Sequence, residues 1–397
     1  MTTTFEGLGV SRDLVAALAA DGIEAPFPIQ SLTIADGMAG RDICGKAKTG
    51  SGKTLAFGIP LLERVAKAEP RRPTGLVLVP TRELANQVYK VLAPLAKLCG
   101  RRVKAVYGGV GFEPQIDALR KGADIIVGTP GRLIDLMERK EVSFADVQML
   151  VLDEADRMAD MGFMPQVQKI LIRIEAAHQT MLFSATLDGA VKQLVNRYMH
   201  DPVFHEVLSD EPTVEEMEHR FFFVHEMDKV KVAAAIANGV DRTLMFCNTK
   251  RAADRLVTKL QREGVTAAAI HGDLRQAARE QALADFMAGK VPVLVATDVA
   301  ARGIHVEGID VVVHWDPSDD PKAYLHRSGR TARAGESGVA VTLMLWNQEN
   351  DVRVVQRRLG LSIPVVEIFS NDPRLANLKG WDPAADVSVA EADAVTV

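Results

Sequence analysis

Asp42-Ile-Cys-Gly-Lys-Ala-Lys-Thr-Gly-Ser-Gly-Lys-Thr54 joins a short apolar strand to a glycine-containing turn and then to a helical stretch that opens at Lys53. Successive backbone N–H groups of such a turn, set at a helix N-terminus, form a concave anion site. A lysine at its end adds a point charge for the β- and γ-phosphates of a nucleotide, and the hydroxyl after it suits Mg2+. The candidate cradle is therefore Thr49, Gly50, Ser51, Gly52 and Lys53, with Thr54 as a metal ligand. Ala47 stands where the simplest form of this pattern has its first glycine, so taken alone the octamer also reads as a glycine-rich turn bearing a surface lysine.

A strand, a phosphate turn and a helix make one unit of an α/β sheet, and the rest of the chain continues that alternation. Short β-branched apolar runs at Gly75 to Pro80, Asp124 to Gly128, Met149 to Leu152 and Thr180 to Phe183 read as strands buried on both faces. After a break the pattern returns at Thr243 to Cys247, Ala267 to Ile270, Val293 to Ala296, Val311 to His314 and Val339 to Met344. The expectation is two tandem α/β domains, each a parallel sheet flanked by helices, with a ligand cleft between them. The polar segment 209–216 reads as a linker between a first domain over 1–208 and a second over 217–370. Residues 371–397, acidic and without periodicity, read as a disordered tail.

Length and composition agree with this organisation. The chain has 397 residues, 47% hydrophobic and 25% charged, enough for two cores and unlike a disordered or fibrous protein. With 47 Lys and Arg against 52 Asp and Glu the formal charge is -5, so any anionic partner must be held by local sites and not by a global field. Cys44, Cys99 and Cys247 lie far apart, without the spacing of a zinc site or a disulfide framework, and read as reduced thiols. No apolar run approaches the ~20 residues of a membrane span, and Met1 to Phe5 lacks a signal-peptide pattern, which together predict a cytoplasmic protein.

Ligands of open parallel sheets bind beyond the carboxyl ends of the strands. At those ends stand Pro80-Thr-Arg82, Thr129-Pro-Gly-Arg132, Asp153-Glu-Ala-Asp156 and Ser184-Ala-Thr186, then Asn248-Thr-Lys250, His271-Gly-Asp273 and Thr297-Asp298. Asp153 is the second acid that a phosphate-bound metal requires, and Glu154 is placed to orient or deprotonate water. His326-Arg-Ser-Gly-Arg-Thr-Ala-Arg333 sets arginines at spacings of three, which the sequence places on one helical face suited to phosphate oxygens.

Together these segments, in this order over roughly residues 5 to 345, resemble a DEAD-box RNA helicase, a superfamily 2 enzyme with two RecA-like domains. Pro26-Phe-Pro-Ile-Gln30 resembles the family's adenine-reading motif, with Phe5 as its upstream aromatic and Gln30 as the amide that selects ATP. The resemblance implies Lys53, Asp153, Glu154, Arg330 and Arg333 as catalytic residues, the last two as arginine fingers. It implies Thr54 and Asp153 at Mg2+, and Ser184, Thr186, Asp156 and His326 as the residues that couple nucleotide to domain closure. RNA contacts are implied for Pro80, Thr81, Arg82, Gly108, Gly109, Thr129, Pro130, Gly131 and Arg132, and for Thr249, Arg279 and Thr297 in the second domain. These are groups for phosphate and sugar oxygens and not for base edges, so RNA binding without sequence preference follows. Three positions depart from the family pattern: His305 replaces an Asp, Ala332 a Gly, and Ile23 an aromatic.

The function implied is an ATP-dependent RNA helicase, working as a monomer, that opens short duplexes as ATP and RNA close its domains. An ATP-gated RNA clamp with little unwinding needs the same motifs and stands as the alternative, and a DNA-translocating motor is the more distant one.

Overall fold

The computed structural model describes residues 3–47, 50–187, 189–207, 217–301, 308–331 and 338–381. The chain divides into two compact units, Met1–Ser209 and Asp210–Val397. The segment 209–216, the acidic stretch 382–397 and the three residues Thr49, His305 and Arg333 lie outside the described residues, as does Ala332.

The first unit contains β1 (Ile43–Lys46), β2 (Gly75–Leu78), β3 (Val103–Val106), β4 (Ile125–Gly128), β5 (Met149–Asp153), β6 (Gln179–Ser184) and β7 (Val203–Glu206). They form one sheet in the order β3-β4-β2-β5-β6-β1-β7. The second unit contains β8 (Glu218–Phe223), β9 (Thr243–Cys247), β10 (Ala267–Ile270), β11 (Val293–Thr297), β12 (Val311–His314), β13 (Val339–Met344) and β14 (Val365–Glu367). Their order, β10-β11-β9-β12-β13-β8-β14, repeats the first strand for strand. Every ladder between these strands is parallel. The two halves are thus structural duplicates despite their different sequences.

The interior strands β2, β4, β5, β6, β9, β11, β12 and β13 are buried along their length, because helices cover both sheet faces. Two apolar clusters fill the first unit, one on each side of its sheet, one built around Phe57, Val77 and Phe183 and the other around Leu78, Leu152 and Met158. The register then fixes the site. Lys46 pairs with Ser184, and Asp153 with Phe183, so the phosphate turn, the acidic pair and Ser184 leave the sheet at one level of its carboxyl edge.

Four strands have no counterpart in the sequence expectation: β3, β7, β8 and β14. Three of them are sheet edges, where one side of the strand faces water and the apolar run is broken by polar residues. The second domain also extends beyond residue 370. Leu375, Leu378 and Trp381 are buried in its core, and the Trp381 ring stacks on Phe222 with centroids 5.2 Å apart. Two short 3-10 turns, Pro373–Ala376 and Leu378–Gly380, carry these side chains inward, a pattern that helix and strand periods do not reveal. All three cysteines are free, and burial pushes the Cys44 thiol up to about 11. Among the described residues no helix is long and apolar enough to cross a membrane.

Candidate functional site

Gly50 and Gly52 adopt left-handed backbone, with φ of 87° and 86°, a conformation that a glycine adopts without strain. Gly52 is the N-cap of the helix Lys53–Arg64, so the turn faces that helix's unpaired N–H groups. Lys53 is buried, and its Nζ donates to the Ala47 carbonyl at 2.9 Å, which lays the ammonium across the loop.

Gln30 ties the adjacent segment to this turn. Its Oε1 accepts from the Phe27 N–H and its Nε2 donates to the Gly52 carbonyl, both at 2.9 Å. One donor and one acceptor position of the amide remain for a ligand. A Cβ on Gly52 would lie 2.5 Å from Gln30 Nε2 and 2.6 Å from Phe27 Cδ2, so only glycine lets the three approach. Phe5, expected as the upstream aromatic of the base site, is instead buried in the core at 2% exposure. The aromatic left open beside the turn is Phe27, 54% exposed. Its signal in the sequence is an aromatic between two prolines directly before the helix Pro28–Met38.

The carboxylates follow β5. Asp153 is buried, accepts the Glu154 N–H at 3.0 Å, and burial pushes its carboxyl up to about 7 while the Lys53 charge pulls it down and Glu154 pushes it up. A buried carboxylate held against such a desolvation cost, close enough to Lys53 for its charge to act on it, suits a hard divalent cation that takes one or two protein oxygens and keeps phosphate and water ligands. The donor set therefore fits Mg2+. Glu154 has a left-handed backbone, φ 52°, a strained state for a residue with a side chain. It is buried, and its Oε2 accepts from Arg157 Nη1 at 2.6 Å. Asp156 is joined to the end of β6 twice: its N–H donates to Ser184 Oγ at 3.1 Å, and its Oδ2 accepts the Ala185 N–H at 3.2 Å. Thr186 is exposed just beyond.

In the second unit the helix Pro321–Ser328 ends before Arg330, so Arg327 and Arg330 do not share one helical face. Gly329 closes the helix through its N–H to the Leu325 carbonyl at 2.8 Å, and Arg330 lies in the turn after it. Arg327 points inward. Its Nε and Nη2 each reach Asp298 at 2.7 Å, Nη1 donates to the Asp316 carbonyl and Nη2 to Asn248 Oδ1. Arg330 is buried and donates from Nε to the His326 carbonyl at 3.3 Å. His326, half-buried, shares with Asp298, Arg327 and Arg330 the lining of one small pocket.

The residues expected at RNA occupy matching places in the two units. Thr81 caps the helix Arg82–Leu98 after β2, and Thr249 caps the helix Lys250–Arg262 after β9, each hydroxyl accepting the N–H three residues on. Pro80 is buried. Gly109 has φ 80°, and a Cβ there would collide with the Arg82 guanidinium. Gly108 precedes it, half-buried, and Thr129, Pro130 and Gly131 open the helix Pro130–Glu138. Arg132 is 6% exposed: its guanidinium lies 3.9 Å above the Phe112 ring and donates to the Val110 carbonyl, which turns it toward the Gly108–Gly109 loop. Arg279 and Thr297 are both buried.

The chain matches the family model of the DEAD/DEAH box helicase over residues 27–194 and that of the helicase conserved C-terminal domain over residues 228–335. It is 42% identical over 359 residues to the DEAD-box ATP-dependent RNA helicase CshA of Bacillus licheniformis, covering 90% of this chain and 74% of that protein. To CshA of Geobacillus kaustophilus it is 37% identical over 414 residues, covering 100% of this chain and 88% of the relative. Among solved structures, S. cerevisiae Dbp5 bound to RNA and ADP BeF3 superposes with a TM-score of 0.77 at 30% identity, over 93% of this chain and 96% of that one. Fold, phosphate turn, acidic pair and relatives agree: the chain belongs to the DEAD-box helicase family.

Proposed function

We propose that this protein is an RNA-stimulated ATPase that unwinds short RNA duplexes. The observation that carries the reading is the convergence of Lys53, Asp153 and Glu154 at one carboxyl edge, where the Lys53 charge acts on the Asp153 carboxyl. Lys53 and the N–H groups of Gly50, Ser51 and Gly52 hold the β- and γ-phosphates, with Thr49 as a further nucleotide contact, and Gln30 and Phe27 receive the adenine. Thr54 and Asp153 would hold Mg2+, which when bound would offset charge on the phosphate oxygens. Glu154 positions a water and takes its proton as the water oxygen bonds to the γ-phosphorus and the bond to the ADP oxygen breaks.

Arg330 and Arg333 supply cationic charge to the γ-phosphate when the two units close, and Asp156, Ser184, Thr186 and His326 report nucleotide to that motion. RNA lies on Pro80, Thr81, Arg82, Gly108, Gly109, Thr129 to Arg132, Thr249, Arg279 and Thr297, through its backbone and without sequence preference. Three free thiols, two of them buried, suit a reducing cytoplasmic compartment.

The test is ATP turnover with and without single-stranded RNA, together with strand displacement using ATP or a non-hydrolysable analogue. RNA-stimulated turnover lost in Lys53→Ala and Glu154→Gln, with displacement of duplexes up to about one helical turn, supports the helicase. Stimulated turnover without displacement favours the clamp, and equal stimulation by DNA favours the translocating motor.

A further inference from the structure

The Glu154 side chain, which the reading above makes the water-activating group, is already engaged. Its Oε2 lies 2.6 Å from Arg157 Nη1, and the two side chains are 5% and 10% exposed. A short, charge-assisted and water-shielded bond of this kind is stronger than a surface ion pair. The bond takes one acceptor position of Oε2 and holds the carboxylate in this orientation.

Arg157 sits three residues further on, in the short helix Ala155–Asp160. The same helix is tied to the end of β6, because Asp156 accepts the Ala185 N–H through Oδ2 and the Arg157 N–H through Oδ1, and donates its own N–H to Ser184 Oγ. Ser184 and Ala185 are thus hydrogen-bonded to Asp156, Asp156 to the backbone of Arg157, and the side chain of Arg157 to Glu154. Any displacement of the 184–186 segment acts on the helix that holds Arg157.

From this geometry we infer that Arg157 is an autoinhibitory latch on Glu154: it holds the carboxylate in the resting enzyme, and the RNA-dependent shift of residues 184–186 releases it. Arg157 touches neither ATP nor the attacking water; it is a positioning residue that acts through Glu154. Two states follow, one with Glu154 bound to Arg157 and one with Glu154 free to accept the water's proton. RNA favours the second without contacting either residue. The inference rests on the proposed role of Glu154 in hydrolysis.

The test compares ATP turnover with and without single-stranded RNA in the full-length wild type, Arg157→Gln and Arg157→Lys, with Glu154→Gln as reference. Arg157→Gln keeps a polar side chain but shortens it and removes the charge. It should raise RNA-free turnover by about tenfold, the effect of removing one charge-assisted hydrogen bond from the resting state. The stimulation ratio should fall by a similar factor, with the KM for ATP unchanged. Arg157→Lys keeps the cation but offers a single, weaker contact in place of the planar guanidinium, so RNA-free turnover should rise partially, and less than in Arg157→Gln. Thermal unfolding of each variant checks that the first unit remains folded, and if Arg157→Gln does not fold, the lysine variant with its weakened single contact must still show a partial rise. A fall in both RNA-free and RNA-stimulated turnover in either folded variant overturns the latch, as does unchanged RNA-free turnover. Full activity in Glu154→Gln would instead overturn the role of Glu154 itself, which separates that failure from the failure of the latch.

Discussion

Arg327 and Asp298 are joined by two parallel N–H···O bonds of 2.7 Å, and the same guanidinium also holds the Asp316 carbonyl and the Asn248 side chain. This one side chain fastens the helix Pro321–Ser328 to the ends of β9, β11 and β12. Two arginines three residues apart therefore do different work, Arg327 inside the fold and Arg330 in the turn beyond the helix. Arg327→Ala leaves a carboxylate, an amide and a carbonyl without their donor and should destabilise the second unit by about 3 kcal/mol or more, read by urea unfolding. Arg330→Ala should lower RNA-stimulated turnover by about 10^3, with a smaller loss of stability in the second unit than Arg327→Ala causes.

Gly52 should not accept a side chain. Alanine there needs a left-handed backbone, at a cost of about 1–2 kcal/mol, and drives its Cβ into Gln30 and Phe27. Gly52→Ala should weaken ATP binding by at least tenfold while the second unit melts as before. A fluorescent ATP analogue titrated against both proteins reads the difference, and equal affinities would remove Gln30 and Phe27 from the nucleotide site.

Lys229, buried at the start of its helix with its Nζ 4.8 Å from the Trp315 ring, has its ammonium pulled down to about 8 by burial, against the opposing pull of Asp316. Below about pH 8 it is charged in both folded and unfolded chains, and folding carries the full cost of burying it. Between about 8 and 10.5 the unfolded chain binds a proton that the folded one lacks, so stability from this group rises with pH across that window. Lys229→Met should therefore be more stable than wild type at pH 7, by up to ~3 kcal/mol, with the gap closing toward pH 10.5. Urea midpoints of the two proteins at pH 7, 8.5 and 10 give the slope, and a gap that stayed constant would contradict the burial of a charged lysine.

Trp381 is the last described residue and a core residue, stacked on Phe222 and covered by the Arg374 guanidinium at 4.4 Å. Trp381→Ala should cost about 3–5 kcal/mol in the second unit. Thermal unfolding checks this, and a midpoint equal to wild type would return the segment after residue 370 to a peripheral role.

Where the sequence was legible, the reason is burial on both sheet faces. Thr243 to Cys247, Val311 to His314 and Val339 to Met344 are predominantly apolar runs and coincide with β9, β12 and β13, interior strands buried along their length. The edges β3, β7 and β14 were not legible, since a strand with one wet side mixes polar and apolar residues without a clear period. In the site, the glycines and the acidic pair announced themselves by residue type. The inward turn of Arg327, the burial of Phe5 and the exposure of Phe27 did not, because an arginine or a phenylalanine carries no mark of which way its side chain faces.

Every apolar cluster among the described residues lies wholly within one half of the chain. A protein whose halves each enclose their own dry interior need not melt as one body, and a single transition temperature would average two events. Calorimetry should then resolve two heat-absorption peaks. ATP, gripped by the turn after β1, would displace the peak of the first half alone, so the nucleotide becomes a label that tells which peak belongs to which half.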